Sequence, residues 1–187
     1  MKNAMQLKAA LNKFAKEKKI LPQHAMQNYM LERLLERISV SKYRDYLIIK
    51  GGFLIASLAG LGTRSTINVL AYNAATLMAE KLETVISRGD LNTHPRDYYD
   101  IYILEKLKSS EIDFKELKAA LLETSRHRHT EKLLADYKTI MDSVIKSPEM
   151  QKYWAAYSRK NAYANGITFL DACNAVMRIM EQINIQI

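Results

Sequence analysis

With 187 residues, 48% of them hydrophobic, the chain is long enough to bury a sizeable core and has an ordinary globular composition. Its net charge of +8 is an N-terminal property: residues 1–50 hold eleven Lys or Arg against four Asp or Glu, a balance of +7, while residues 51–187 hold seventeen against sixteen. The single Cys173 excludes an internal disulfide, and four histidines without zinc spacing leave no zinc module to read. A basic surface of this kind attracts polyanions such as RNA or nucleotide, or an acidic partner protein, and it is also what a solvated helix face looks like.

In chain order, residues 3–18 read as an amphipathic helix with Leu7, Ala10, Leu11, Phe14 and Ala15 on one face and lysines elsewhere. Lysines interrupt this segment throughout and leave no apolar h-region, so no signal peptide is expected. Pro22 opens a second helix with Met26, Tyr29, Met30, Arg33, Leu34 and Ile38 at helical spacing. Residues 46–52, YLIIKGG, form a short branched run ended by two glycines, the pattern of a strand. The run after it, FLIASLAGLG, looks helical until Gly60 and Gly62, and is too short and glycine-rich to span a bilayer. The expected location is cytoplasmic, with no membrane partner. Gly51 and Gly52 then admit two readings, a step at which a phosphate approaches the main chain or a plain tight turn.

The segment from Tyr72 to Leu104 reads as helix, loop, helix. Ala75, Met78, Leu82, Val85 and Ile86 make one buried stripe, and Lys81 and Arg88, seven apart, share another face. Gly89 stops the first helix and Pro95 starts the second, whose first turn holds Asp97. From Tyr98 to Leu104 that second helix is apolar nearly all round and is expected to be buried. A lysine and a first-turn aspartate of this kind can hold a triphosphate and a reacting hydroxyl. They can equally be structural, with Arg88 or Arg96 pairing to Asp97 or Asp100 and Asp97 answering the helix dipole.

The remainder reads as helices over about 113–124, 130–145, 148–160 and 168–184, with Asp113, Thr130 and Thr168 as N-caps. Core stripes are expected at Met141, Val144 and Ile145, at Tyr153, Trp154 and Tyr157, and at Leu170, Cys173, Val176, Met177 and Met180.

Taken together, IIKGGFLIASLAGLGTRST, LAYNAATLMAEKLETVISRGDLNTHPRDYYDIYIL and the helical tail resemble the nucleotidyltransferase toxins of the AbiEii/AbiGii abortive-infection family. The pattern AEKLxTxxSRGxxNxxxRDxYDIY combines uncommon residues over several turns and is specific. The resemblance implies a phage-defence toxin of a type IV-like toxin–antitoxin system, a transferase that moves NMP from an NTP with Mg2+ onto an acceptor such as tRNA. It also implies an antitoxin protein as partner, and tRNA or another RNA as a second one. By the same resemblance Lys81 corresponds to the lysine on the nucleotide phosphates and Asp97 to the aspartate near the attacking group. Gly51, Gly52, Arg64 and Thr66 correspond to further nucleotide-holding positions, and Arg88 is grouped with them.

One departure changes the expectation. In the family the R-x-T element runs into a strand carrying two metal-binding aspartates, whereas here Arg64-Ser65-Thr66 is followed by Ile67, Asn68, Val69 and Leu70 and then directly by Ala71-Tyr72-Asn73. Asn68 and Leu70 fill the D-x-D positions, so no metal ligand is assigned. The expected fold class is therefore mainly α: a truncated α+β nucleotidyltransferase-like core over residues 1–110, with a short strand remnant, and a helical C-terminal region over 111–187 packed on it. Two functions follow, a transferase toxin or a catalytically inactive remnant that binds a partner protein, nucleotide or RNA.

Overall fold

The computed structural model of the chain describes residues 3–58 and 67–185. Arg64 and Thr66, with Gly60 and Gly62, lie outside the described residues. Among those described, the structure is helical apart from two short strands, as the sequence implies. They divide into two compact units, residues 1–72 with 161–165, and residues 73–160 with 166–187.

The first unit begins with α1 (Ala4–Glu17), capped by the Asn3 side chain, which accepts from the Gln6 backbone N–H at 2.9 Å. Lys19 takes a positive φ of 54° and turns the chain into α2 (Pro22–Ser39), with proline in its first turn. The two helices pack against each other around Ala15, Ile20 and Ala25, with Phe14 and Tyr163 closing the cluster. Of α2 only Ala25 and Glu32 are buried, seven residues apart and so on one face; Met30 and Leu34 of its apolar stripe face outward.

The strand read over residues 46–52 shortens to β1 (Ile48–Ile49), preceded by the 3-10 turn Arg44–Tyr46. It pairs in parallel with β2 (Leu70–Ala71), with Ile48 opposite Leu70 and Ile49 opposite Ala71. Gly51, at φ +80°, makes the turn after β1, and Gly52 is the first residue of the seven-residue α3 (Gly52–Leu58).

The second unit is built on α4 (Ala74–Arg88), which packs against α5 (Arg96–Lys108) and against α6 (Phe114–Arg128). All five expected apolar positions of α4 are buried, and so are Leu77, Ala79 and Glu83. With partners on two sides, α4 has no single exposed face to carry a clean amphipathic pattern. The reading of α5 as a buried helix holds for Tyr98, Tyr99, Ile101 and Leu104, and burial extends to Asp97 and Asp100. Helix α10 (Phe169–Ile183) packs on α5, α6 and α8 (Tyr137–Lys146).

Three details depart from the sequence reading. The single helix expected over 130–145 is broken at Asp136 into α7 (Glu131–Ala135) and α8. Thr130 does not cap α7, because its hydroxyl donates to Glu83 instead. In the last helix Phe169 is buried and Leu170 exposed, and in α9 (Pro148–Lys160) Trp154 is buried while Tyr153 is exposed, so each stripe is displaced by one residue at one member. Asp113 and Thr168 cap as expected, the latter in a reciprocal box with Asp171.

Candidate functional site

Local chemistry brings Lys81 and Asp97 together. Asn73 starts α4 by accepting from the Thr76 N–H at 2.8 Å. Gly89, at φ 52° and ψ −133°, ends it in a conformation that residues with a Cβ avoid. The turn that follows is fixed by Asn92, fully buried, whose side-chain oxygen accepts from the His94 N–H at 2.9 Å. Pro95 then precedes α5, which runs against α4 with its first turn beside the Lys81 level.

Lys81 Nζ donates to Asp97 Oδ1 at 2.6 Å and stands 3.0 Å from Asp100 Oδ2. The latter contact is an ion pair without the directionality of a hydrogen bond, and Oδ2 has no hydrogen-bond partner. Arg96 Nε approaches the other Asp100 oxygen at 3.6 Å. The Lys81, Asp97 and Asp100 side chains are 19%, 12% and 2% exposed. Two carboxylates, one ammonium and one guanidinium thus form a compact group without net charge, a composition that burial demands.

The electrostatics follow from that geometry. Burial acts to lower the Lys81 pKa, but the Asp100 charge and the hydrogen bond to Asp97 outweigh it and hold the ammonium above its ordinary value. For Asp100 burial is the stronger influence and raises the carboxyl above the usual range, against the opposing charges of Lys81 and Arg96. Lys81 is therefore a fixed cation at neutral pH, and Asp100 is the carboxylate of the pair that accepts a proton more readily than an exposed aspartate does.

Asp100 was not singled out for a role by the sequence reading, although its position three residues after Asp97 placed both on one helix face. Arg88 does not join the group; its Nη1 lies 3.3 Å from His94 Nδ1. Gly51 and Gly52 belong to the first unit, where they form the turn into α3. Cys173 is buried, and burial pushes its thiol up to about 12, which leaves it unreactive at neutral pH.

A second polar group sits two residues along α4 and so on its opposite side. Glu83, 1% exposed, accepts from the Thr130 hydroxyl at 2.9 Å and from Arg128 Nη1, which also donates to Thr84 Oγ1 at 3.1 Å. The sequence concealed this: the run Arg126 to His129 reads as an exposed helix end, and His127 is indeed exposed, but Arg128 turns back to neutralise a buried carboxylate.

The donor set does not fit a divalent metal. Both aspartates of the cluster already face the Lys81 ammonium, Glu83 is committed to Arg128 and Thr130, and β2 carries Leu70 and Ala71 with an exposed Asn68 before it. Among the described residues no three His, Cys, Asp or Glu side chains converge as a metal site. Nor is any helix there long and apolar enough to cross a membrane.

A family model described as "Nucleotidyl transferase AbiEii toxin, Type IV TA system" matches residues 60–172. The match takes in α4 to α9 and leaves Gly51 and Gly52 outside it. No curated protein and no solved structure matches the chain. Because the matched region covers more than half of the sequence and contains the whole Lys81, Asp97 and Asp100 cluster, this chain belongs to the AbiEii nucleotidyl transferase toxin family of type IV toxin–antitoxin systems.

Proposed function

We propose that the chain acts as a toxin-family protein that binds a partner protein, nucleotide or RNA and has lost efficient transfer of NMP. The observation that supports this reading is the occupation of Lys81. Its ammonium lies between two buried carboxylates at 2.6 and 3.0 Å, so phosphate oxygens would have to compete with charges already in place. The strand that carries the metal-binding aspartates in the family is represented here by Asn68, Val69 and Leu70, none of which offers a carboxylate.

A second reading has its own observation. Lys81 and Asp97 are hydrogen-bonded and retain some solvent access, so a transferase role keeps its two central residues in one place, with Gly51, Gly52, Arg64, Thr66 and Arg88 as nucleotide-holding positions and an acceptor such as tRNA. In that reading Lys81 binds phosphate oxygens and Asp97 orients the attacking hydroxyl.

Transfer assays separate the two. Purified protein is incubated with magnesium, each labelled NTP in turn and a total tRNA pool, beside a Lys81→Ala variant shown by circular dichroism to be folded. The expected result is no label in RNA or protein. Label that appears with the natural chain and disappears with Lys81→Ala would overturn the proposal and establish the transferase.

A further inference from the structure

The feature left unused by the site is the outer face of α2. Ala25 and Glu32 mark its inward side, where α1 packs. On the opposite side Met30, Leu31 and Leu34 are 59%, 41% and 53% exposed, with Gln27 and Arg37 continuing the same face at either end. Three adjoining large aliphatic side chains in water are costly, at roughly 1.5–3 kcal/mol each when fully transferred from water to an apolar site. Their spacing of one, three and four residues is that of a seam for a second helix.

The surroundings specify the partner's charge. Lys8, Lys13, Lys16, Lys18 and Lys19 of α1 and its C-terminal turn are exposed, as are Arg37 and Lys42. Their nearest acidic neighbours in sequence do not compensate them: Glu36 is engaged by Arg33 at 2.6 Å, and α1 contains Glu17 alone. Residues 1–50 carry +7 in all. An apolar seam bordered by uncompensated lysines is complementary to a helix with aliphatic residues on one face and Asp or Glu beside them.

Other occupants fit less well. A second copy of the same surface would bring one +7 segment against another. The seam is aliphatic and offers no ring for bases to stack on, which disfavours RNA. It is also a single narrow row without Trp or Phe, unlike a face that lies in a membrane interface.

We propose that the α2 face of Met30, Leu31 and Leu34 is a docking surface for an acidic amphipathic helix of a partner protein. The proposal rests on the binding role inferred above and names the surface and chemistry through which that role is exercised.

The test uses the full chain and a fluorescent peptide of about 20 residues with leucines at a three-and-four spacing and glutamates elsewhere. A scrambled peptide of the same composition serves as control, and polarisation is read without nucleotide. Binding of the patterned peptide over the scrambled one, weakened at least about tenfold in Met30→Glu/Leu34→Glu, is the expected result. Both positions are exposed, so the fold tolerates the change, and Met30→Ala/Leu34→Ala provides a milder check with the same direction. Equal binding of both peptides, or no loss in the variants, overturns the proposal. Tighter binding to anionic vesicles or to single-stranded RNA, or self-association abolished by the glutamates, would also overturn it. Lys81→Ala should bind the peptide as the natural chain does. A transfer assay that finds activity would then refute the inactive-remnant reading while leaving the docking surface standing, and the converse outcome is equally distinct.

Discussion

Lys81→Met removes the ammonium from the cluster and keeps most of the aliphatic stem. It leaves Asp97 and Asp100 as neighbouring carboxylates, 12% and 2% exposed, with Arg96 the remaining cation, half exposed and 3.6 Å from one Asp100 oxygen. Removing one member of a buried ion pair costs about 3–5 kcal/mol. Because Lys81 is 19% exposed and Arg96 stays, the lower end applies, about 3 kcal/mol. For a chain of this length that is a fall in melting temperature of roughly 6–12 °C. The pH dependence is the sharper part. In the natural chain the folded pKa of Lys81 is raised, so its contribution is complete below the unfolded value near 10.5 and is lost only as pH climbs through the folded one. In the variant the two carboxylates lose their counter-charge, their folded pKa values rise, and the folded state binds protons that the unfolded state does not. The deficit relative to the natural chain should therefore shrink between about pH 7 and about pH 5. Adding Asp100→Asn should recover part of it at neutral pH. Thermal melts followed by circular dichroism at both pH values decide the matter: a deficit that is the same at both, or a variant that melts within about 1 °C of the natural chain, would refute the reasoning.

Arg128→Met should destabilise by about 2–3 kcal/mol, less than a fully buried pair because Arg128 is 46% exposed, by leaving Glu83 paired with Thr130 alone; Glu83→Gln in the same chain should return part of the loss in urea titrations. Gly89→Ala should cost about 1–3 kcal/mol, since its φ and ψ suit glycine and a Cβ would stand 3.3 Å from Ile140 Cγ2, read as an earlier urea midpoint. Thr168→Ala should cost about 1 kcal/mol by removing the cap of α10. The hydrogen bonds from Thr168 hold the Asp171 carboxyl below its ordinary value, so the stabilisation from that pairing is present above the unfolded pKa of 3.8 and fades as pH falls through the folded one. Asp171→Asn should therefore differ from the natural chain at neutral pH and converge with it in acid.

Periodicity revealed the apolar frame of the second unit: each of Ala75, Met78, Leu82, Val85 and Ile86 is buried, and Gly89 and Pro95 delimit the loop. Local signals of this kind depend on neighbours within a turn or two. The meeting of Lys81 with Asp97 was legible as a motif, whereas Asp100 required knowing which side of α5 faces α4. The Arg128 contact to Glu83 spans 45 positions and leaves no trace in spacing, so an arginine among exposed polar residues read as surface. The break at Asp136 has the same origin. Periodicity over 130–145 is continuous, and the hydroxyl of Thr130 is drawn to Glu83 by tertiary structure. The strand reading erred in length because two residues of parallel pairing suffice to join β1 to β2, and the apolar run around them extends past the ladder.

The two buried acid and base groups on α4 have a consequence for how precisely that helix is seated. Its apolar residues lie on more than one side, and an all-apolar helix of that kind could settle in several rotations at similar energy. A turn by one residue, about 100°, would carry Lys81 away from both aspartates and Glu83 away from Arg128 and Thr130 in a single movement. Each displaced charge would be stranded in a desolvated setting, and the two penalties would fall together because the groups project from opposite sides. The pair of ionic contacts thus acts as a key cut on both edges, accepting one orientation of α4 and rejecting the neighbouring ones that grease alone would tolerate.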